Sequence, residues 1–454
     1  MNKMIQIHFR FLKSCTWVFF LLSIFLSTSF AQNVTAEKVK KEFLHAWNGY
    51  MKYAWGHDAV KPVSKEAYDW YGSSLLLTPV DAYDVLLIMG LKDEAAATKK
   101  LIFDSLSFNK NIEVQSFEIT IRLLGGLLSA YQMDGDKRFL SLAEDLGKRL
   151  LPIFNTPTGL PYRYVHLQTG KLRDSINNPA EIGTALLEFG TLSKVTGNPV
   201  FYDKAKNALV QLYNRRSKIG LVGTHINVET GEWVNKSSHI GGAIDSYYEY
   251  LLKGWLLFGD KDCKAMWDES IKAVNTYLAD TTHGGLWYGR VDMETGKRTS
   301  TRFGSLEAFM PAVLALGGDV KRAASLQESC FKMWNLHGIE PERIDYATMQ
   351  ATAKEYYLRP EIIESAYYLW HYTGDEKYRK MGETFFNSLV KYCRTDAGFT
   401  DLKDVTTKKK ADGMESFFFA ETMKYFYLLF APKETLPFDK IIFTTEAHPI
   451  RRMW

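Results

Sequence analysis

Cysteine is scarce, with four in 454 residues, and one of these, Cys15, falls in an N-terminal leader. The other three, Cys263, Cys330 and Cys393, are odd in number and widely spaced. That excludes a disulfide framework and a cysteine-based zinc site. The ten histidines are scattered singly, and there is no HExxH, CxxC, GxSxG, GxxxxGK[ST] or GxGxxG after a strand. Zinc-protease, serine-hydrolase, P-loop and dinucleotide chemistries are therefore set aside. An excess of charge of one sign is missing too: 56 basic residues face 52 acidic ones. Three of the basics, Lys3, Arg10 and Lys13, lie in the first 31 residues, which hold no acid, leaving 53 against 52 beyond them. Such a balance offers no nucleic-acid surface. The leader's apolar run, residues 16–26, is eleven residues long, short of the roughly 20 that span a bilayer.

What is present begins with that leader. A basic start, a short apolar run and Ser29-Phe30-Ala31 before Gln32 make a signal peptide over residues 1–31. The expectation is a single domain over 32–454, exported to a periplasm or secreted, with no membrane span once the leader is cleaved. Aromatic residues are abundant at 14%, and amphipathic helical stretches dominate. Short turns close many of them at Gly90, Gly135, Gly197, Gly259, Gly318 and Gly374, at intervals of 45, 62, 62, 59 and 56 residues. Glycine suits the left-handed residue that ends one helix, and the following Asp or Asn suits the cap of the next. With room for one more unit after Gly374, the count is about seven. Repeats of this length bury their apolar faces only against neighbours, so a solenoid or a closed ring follows. Three connections share a second signature, at residues 167–170, 228–231 and 293–296, each ending Thr-Gly. They read as β-hairpins at the end of the array opposite the glycine turns.

The chemistry available is a set of carboxylates in apolar or aromatic helices. Glu118 and Arg122, four apart, stand beside a packed stripe that runs into Gly125-Gly126, where another element is expected to approach closely. Asp245 opens the run Asp245-Ser246-Tyr247-Tyr248-Glu249, which also fits a capping box. Arg359-Pro360-Glu361 begins a helix with Glu361 and Glu364 on one face. Glu421 is embedded among aromatics from Phe417 onward, and Thr445-Glu446-Ala447-His448-Pro449 taken alone is a strand end. Taken singly, most have an ordinary structural reading, as an ion pair, a cap or an acidic first turn. A ring of helices would instead bring them around one cavity. Paired carboxylates with aromatic platforms are the equipment of glycoside hydrolysis, which makes carbohydrate the leading substrate class.

At these residues the sequence resembles the class I α-1,2-mannosidases, glycoside hydrolase family 47. The resemblance runs from Trp55-Gly56-His57-Asp58 to Pro449. It takes in residues 80–86, the run from Phe117, residues 245–251, 358–365 and 416–430, and the 445–449 stretch. It implies an all-α (α/α)7 barrel with short β-hairpins at one end and a C-terminal hairpin entering the barrel. It also implies an inverting, Ca²⁺-dependent hydrolase that removes terminal α-1,2-linked mannose from mannose-rich glycans. By the same resemblance Glu361 matches the general base, and Glu118 the general acid with Asp245 as its partner or rival. Phe417 matches the aromatic floor under the sugar; Arg122, Arg359, Glu364 and Glu421 fall in the substrate-binding set. Thr445 matches the Ca²⁺ ligand, with Glu446 in an outer shell. Ser305 and Ala308 stand where classical trimming members carry His and a disulfide Cys, and Ala243 where an endoplasmic-reticulum member carries Arg. These departures resemble the degradation-enhancing branch and its bacterial relatives. The alternative is a weakly catalytic or non-catalytic protein that binds mannose glycans on the same fold.

Overall fold

The structure, a computed structural model, describes residues 34–452. The leader expected at residues 1–31 lies outside them.

Every one of the six predicted turn glycines has a positive φ, from 67° at Gly90 to 93° at Gly318. At four of the six the residue after the glycine then caps the next helix with its side chain. Asp136 accepts from the Arg138 amide at 3.0 Å, Asn198 from Val200 at 3.2 Å, Asp260 from Asp262 at 2.9 Å and Asp319 from Arg322 at 3.1 Å. Each such cap contributes about 1 kcal/mol. These turns join an inner helix to the outer helix that follows it.

Among the described residues the outer helices are Ala36–Ala54, Lys92–Ser105, Lys137–Leu150, Pro199–Tyr213, Lys261–Tyr277, Val320–Asn335 and Lys377–Cys393. They bury one stripe: in Lys137–Leu150 the buried positions are Phe139, Ala143, Leu146, Gly147 and Leu150, at spacings of three and four. The inner helices are buried almost all round. They are Leu77–Asp81 with Tyr83–Ile88, Ser116–Ile119 running through Thr120–Leu124 into Gly125–Asp134, Pro179–Gly183 with Leu186–Thr196, and Asp245–Phe258. Leu306–Phe309 with Met310–Leu316, Glu361–Thr373, and Phe418–Met423 with Lys424–Phe430 complete them. Seven inner and seven outer helices make an (α/α)7 barrel.

The seventh pair differs from the sequence reading. No unit follows Gly374 complete in itself; the last inner helix packs against the first outer one, from the other end of the chain. Phe419 meets Phe43 edge-on at 5.3 Å and Trp47 at 5.4 Å, and this seam closes the ring.

The connections at the opposite end carry the three expected hairpins, paired as Tyr164↔Arg173, His225↔Asn235 and Arg290↔Ser300 at their bases. The structure adds others, among them Ala59–Lys61 with Glu66–Tyr68, Arg343–Asp345 with Gln350–Ala353, and Leu402–Asp404 with Lys409–Lys410. Their turns place Lys65, Met349 and Lys408 at positive φ (64°, 54° and 61°), where the recognised hairpins have Gly170, Gly231 and Gly296. Without the glycine there was no signature to read. Between Gly90 and Gly135 the connection holds one strand, Glu113–Gln115, and no hairpin of its own, which explains the short 45-residue interval. Successive connections are stitched together: the strand entering one inner helix pairs with the hairpin of the next unit, as Val114 does with Val165 and Phe303 with Ile344.

The last hairpin, Ile441–Phe443 with Pro449–Arg451, carries its tip, residues 444–448, into the barrel. His448 at its base is fully buried, with Nδ1 at 2.7 Å from Asp84 and Nε2 at 3.1 Å from Asp81. Lys424, also fully buried, donates to the Ala447 carbonyl at 2.7 Å and pairs with Asp84 at 2.8 Å. The close approach expected at Gly125-Gly126 is this histidine: a Cβ on Gly125 would lie 2.9 Å from the His448 ring, and one on Gly126 2.9 Å from the Val80 carbonyl.

Candidate active site

Because each inner helix follows a connection at the hairpin-bearing end, the N-terminal ends of the inner helices gather at the decorated end of the barrel. The sequence-predicted residues sit there. Asp245 and Glu361 are the first residues of their helices, Glu118 is the third of its helix, and Phe417 directly precedes Phe418–Met423. All of them line one cavity of about 390 Å³, together with Arg122, Arg359, Glu364, Glu421, Thr445 and Glu446. The positive ends of the helix dipoles point at this cavity and favour its carboxylates. Two inner helices bulge at this level into π-helical turns, Thr120–Leu124 at Arg122 and Phe418–Met423 at Glu421, a deformation common where a helix re-aims functional side chains.

The Glu118–Arg122 pair is both structural and part of the cavity wall. Arg122 donates from Nε to Glu118 Oε2 at 2.9 Å, binds Glu446 at the hairpin tip, and lies 3.7 Å from Asp81. Its guanidinium also faces the Trp70 and Phe417 rings at 5.3 and 5.7 Å. Asp245 does not act in a capping box: Ile244 is the cap without a side-chain bond, Ser246 bonds Thr184, and Glu249 is paired with buried Lys253. Asp245 Oδ1 accepts the Ser246 amide at 2.9 Å. Burial, together with the Glu307 and Glu249 charges, pushes its carboxyl up to about 7.

Glu361, like Asp245, is half-buried, and it is pushed up to about 7, by burial first and then by the Glu342 and Asp245 charges, against the pull of Arg359. Its Oε2 is buried with no hydrogen-bond partner, an acceptor aimed into the cavity. Arg359 is clamped by Glu342 through Nε at 3.1 Å and Nη2 at 2.7 Å. Ser305 donates to the same Glu342 at 3.0 Å, so one of the sequence departures supports the clamp. Glu364 accepts from the Tyr425 hydroxyl at 3.1 Å and is pushed up to about 8 by burial and by Glu249. Burial and like charges raise Glu421 and Glu446 well above the carboxylate range.

Thr445 donates its amide to the Tyr250 hydroxyl at 3.2 Å, and Tyr250 donates to Glu188 at 2.7 Å. The Thr445 carbonyl and hydroxyl oxygens have no partner among the described residues. Two open hard-oxygen donors beside crowded carboxylates suit a cation that takes six to eight oxygens. Among the described residues no group of three or more acidic, His or Cys side chains converges closely enough to hold a metal directly. The remaining ligands would therefore be water or sugar oxygens.

Sequence reasoning missed Glu181, Glu342 and the Asp81–Asp84–His448 set. Glu181 had a usable signal: Asn178-Pro179 before it mirrors the Arg359-Pro360 entry to Glu361, and Asn178 caps its amide at 3.0 Å. It is engaged by Arg163 at 2.9 Å and Gln115 at 2.8 Å. Glu342 lies on a connection and had none. Cys263, Cys330 and Cys393 are free and buried.

The family model described as glycosyl hydrolase family 47 matches residues 42–452. The chain is 37% identical to human mannosyl-oligosaccharide 1,2-alpha-mannosidase IB, covering 91% of this chain and 69% of that protein. To the mouse ER degradation-enhancing alpha-mannosidase-like protein 2 it is 38% identical, covering 91% and 77%. The solved alpha-1,2-mannosidase from Trichoderma reesei superposes with a TM-score of 0.86 at 29% identity, over 92% of this chain and 99% of that one.

Proposed function

Because the chain belongs to glycosyl hydrolase family 47, we propose that it is an inverting exo-α-1,2-mannosidase, dependent on Ca²⁺, acting on terminal α-1,2-linked mannose of mannose-rich glycans. The observation that carries this reading is the convergence of Glu118, Asp245 and Glu361, from three inner helices, on one cavity with an unpartnered Glu361 oxygen.

In this reading the sugar enters from the hairpin end and rests against Phe417. Glu361 Oε2 takes a proton from a water held against the anomeric carbon, and an acid on the other side gives a proton to the departing oxygen. Asp245, with a carboxyl pushed up to about 7, retains a proton near neutrality. Glu118 is tied to Arg122 at 2.9 Å. We therefore assign the donated proton to Asp245, with Glu118 fixing its surroundings. Arg359, held by Glu342, orients the sugar beside Glu361. Thr445 would hold Ca²⁺ through its two open oxygens, with Glu364, Glu421 and Glu446 outside them; the ion supplies charge neutralisation and sugar-hydroxyl ligation there. Export as a periplasmic or secreted protein, after removal of residues 1–31, belongs to the same reading. Ser305 and Ala308 support extending this reading to the degradation-enhancing branch and its bacterial relatives.

Incubating the mature protein with mannosyl-α-1,2-mannose while following the anomeric protons tests it. β-Mannose is expected first, and activity is expected to vanish in EDTA and return with Ca²⁺. An intact disaccharide in Ca²⁺, or α-mannose as first product, overturns the reading.

A further inference from the structure

Three arginines stand on paired strands beside one side of the cavity wall. In Arg290–Asp292, Arg302–Gly304 and Arg343–Asp345 the central residues Val291, Phe303 and Ile344 are fully buried, and the arginines project from the other face. Phe303 pairs with Ile344 and Gly304 with Arg343, so Arg302 and Arg343 are diagonal neighbours on that face. Val291 pairs with Ser238 and Asp292 with Ser237, which carries Arg290 opposite His239. Two of the chain segments concerned continue to the cavity: Arg302–Gly304 is followed by the lining residue Leu306, and His239, opposite Arg290, by the lining residues Gly242 and Ala243, while Arg343 reaches it through its pairing with Gly304.

The cluster has too little counter-charge. The guanidinium groups of Arg302 and Arg343 make no hydrogen bond or ion pair among the described residues. Asp345, opposite Arg302 in register, is turned to the Thr301 hydroxyl at 2.7 Å and the Ala347 amide at 2.9 Å. Arg290 reaches Glu307 only at 4.0 Å, and its Nε is buried without a partner. Burial, and then the neighbouring arginines, hold both Arg290 and Arg302 below the usual guanidinium range, with Glu307 the carboxylate that opposes this in each case. His239 is buried and receives the Gly241 amide on Nδ1 at 3.1 Å, which leaves its proton on Nε2, where there is no acceptor. A Cβ on Gly241 would lie 2.4 Å from the Glu307 carboxyl carbon. The same Glu307 therefore presses on the loop that enters Asp245.

A set of forked donors without acceptors, on strands adjoining a sugar cavity, is what recognition of an oxyanion requires. We propose that Arg290, Arg302 and Arg343 form a binding site for an anionic group, a phosphoryl or a carboxylate, carried on the sugar next to the bond that is cleaved. This rests on the mannosidase reading above and adds a substrate class to it: acidic rather than neutral mannose glycans.

The test compares three disaccharides with the Ca²⁺-loaded mature protein: mannosyl-α-1,2-mannose, its analogue phosphorylated at C6 of the reducing sugar, and mannosyl-α-1,2-glucuronic acid. At low salt, kcat/KM is expected to be roughly tenfold or more higher for an anionic substrate than for the neutral one. The preference should collapse in Arg302→Gln and Arg343→Gln, made singly and together, and whichever acid is preferred identifies the group. Equal kcat/KM for all three, or a preference that survives both substitutions, overturns the proposal. Broadening of the ³¹P line of inorganic phosphate by the wild-type protein, lost in the double variant, is read without turnover. If no disaccharide is cleaved, the mannosidase reading fails while the phosphate experiment still decides the site; if phosphate is not bound and the neutral disaccharide is cleaved, only the anion site fails.

Discussion

Arg122 and Glu446, 324 residues apart in the chain, are joined by a direct ion pair at the floor of the cavity. The pair ties the second inner helix to the tip of the C-terminal hairpin, and Asp81 and Glu118 crowd the same guanidinium. Arg122→Met would leave several buried carboxylates without their cation. The expected loss is about 3–5 kcal/mol of stability, read as a lower urea midpoint, with Glu446→Gln costing clearly less because it removes one of the like charges.

Glu361→Gln keeps the shape of the cavity and removes the acceptor that would take the water proton. Turnover of mannosyl-α-1,2-mannose should fall by about 10²–10⁴-fold, while calorimetric binding of the disaccharide stays near the wild-type value. Retained turnover would remove Glu361 from the role of base.

Asp245 and Glu361, the proposed acid and base, are both pushed up to about 7. The base must be ionised and the donor protonated, so kcat/KM should rise as pH approaches about 7 from below and fall again above it. The Asp245 charge is one of those that raise Glu361, so the limbs belong to the pair. In Asp245→Asn the alkaline limb should disappear along with most of the activity; in Glu118→Gln it should persist, as expected of a residue that positions the donor.

Stability should carry the same signature. Asp245 and Glu361 at about 7, and Glu188 and Glu364 at about 8, all lie above their unfolded values near 4. A raised carboxyl binds its proton more tightly in the folded state, so its contribution is complete below about pH 4 and is lost as pH rises through 7 to 8. In EDTA the thermal midpoint should therefore fall between pH 6 and 8.5. Ca²⁺ should restore it most at the alkaline end, where the ionised carboxylates lack a counter-charge. A flat pH profile would contradict this.

Met349 and Lys408 hold the left-handed turn positions that glycine fills in three sister hairpins. A side chain there costs about 1 kcal/mol or somewhat more, so Met349→Gly and Lys408→Gly should each raise the urea midpoint slightly. Gly231→Met, the reverse change, should lower it.

The barrel was legible because both of its periodic signals are local. A glycine followed by Asp or Asn marks five of the six tight turns, and the two helix types differ in whether one stripe or the whole surface is apolar. The candidate acids were legible because a carboxylate in an apolar helix is conspicuous. Glu342 and the arginines at 290, 302 and 343 were not, since a charged residue on a short strand looks like any solvated loop until the strands pair. His448 was hidden for another reason. Its partners Asp81 and Asp84 lie 367 and 364 residues away, and no spacing rule spans that distance. The closing seam between Phe43 and Phe419 was invisible in the same way.

That seam and the hairpin impose an order of assembly. The first outer helix finds its neighbour only when residues 418–430 have been made, and the cavity acquires Thr445 and Glu446 later still. Throughout translation the nascent polypeptide is an open arc with an exposed apolar edge and no floor to its pocket. The site is therefore complete only once these last segments are in place, and until the seam closes the first helix is the surface a chaperone would have to guard.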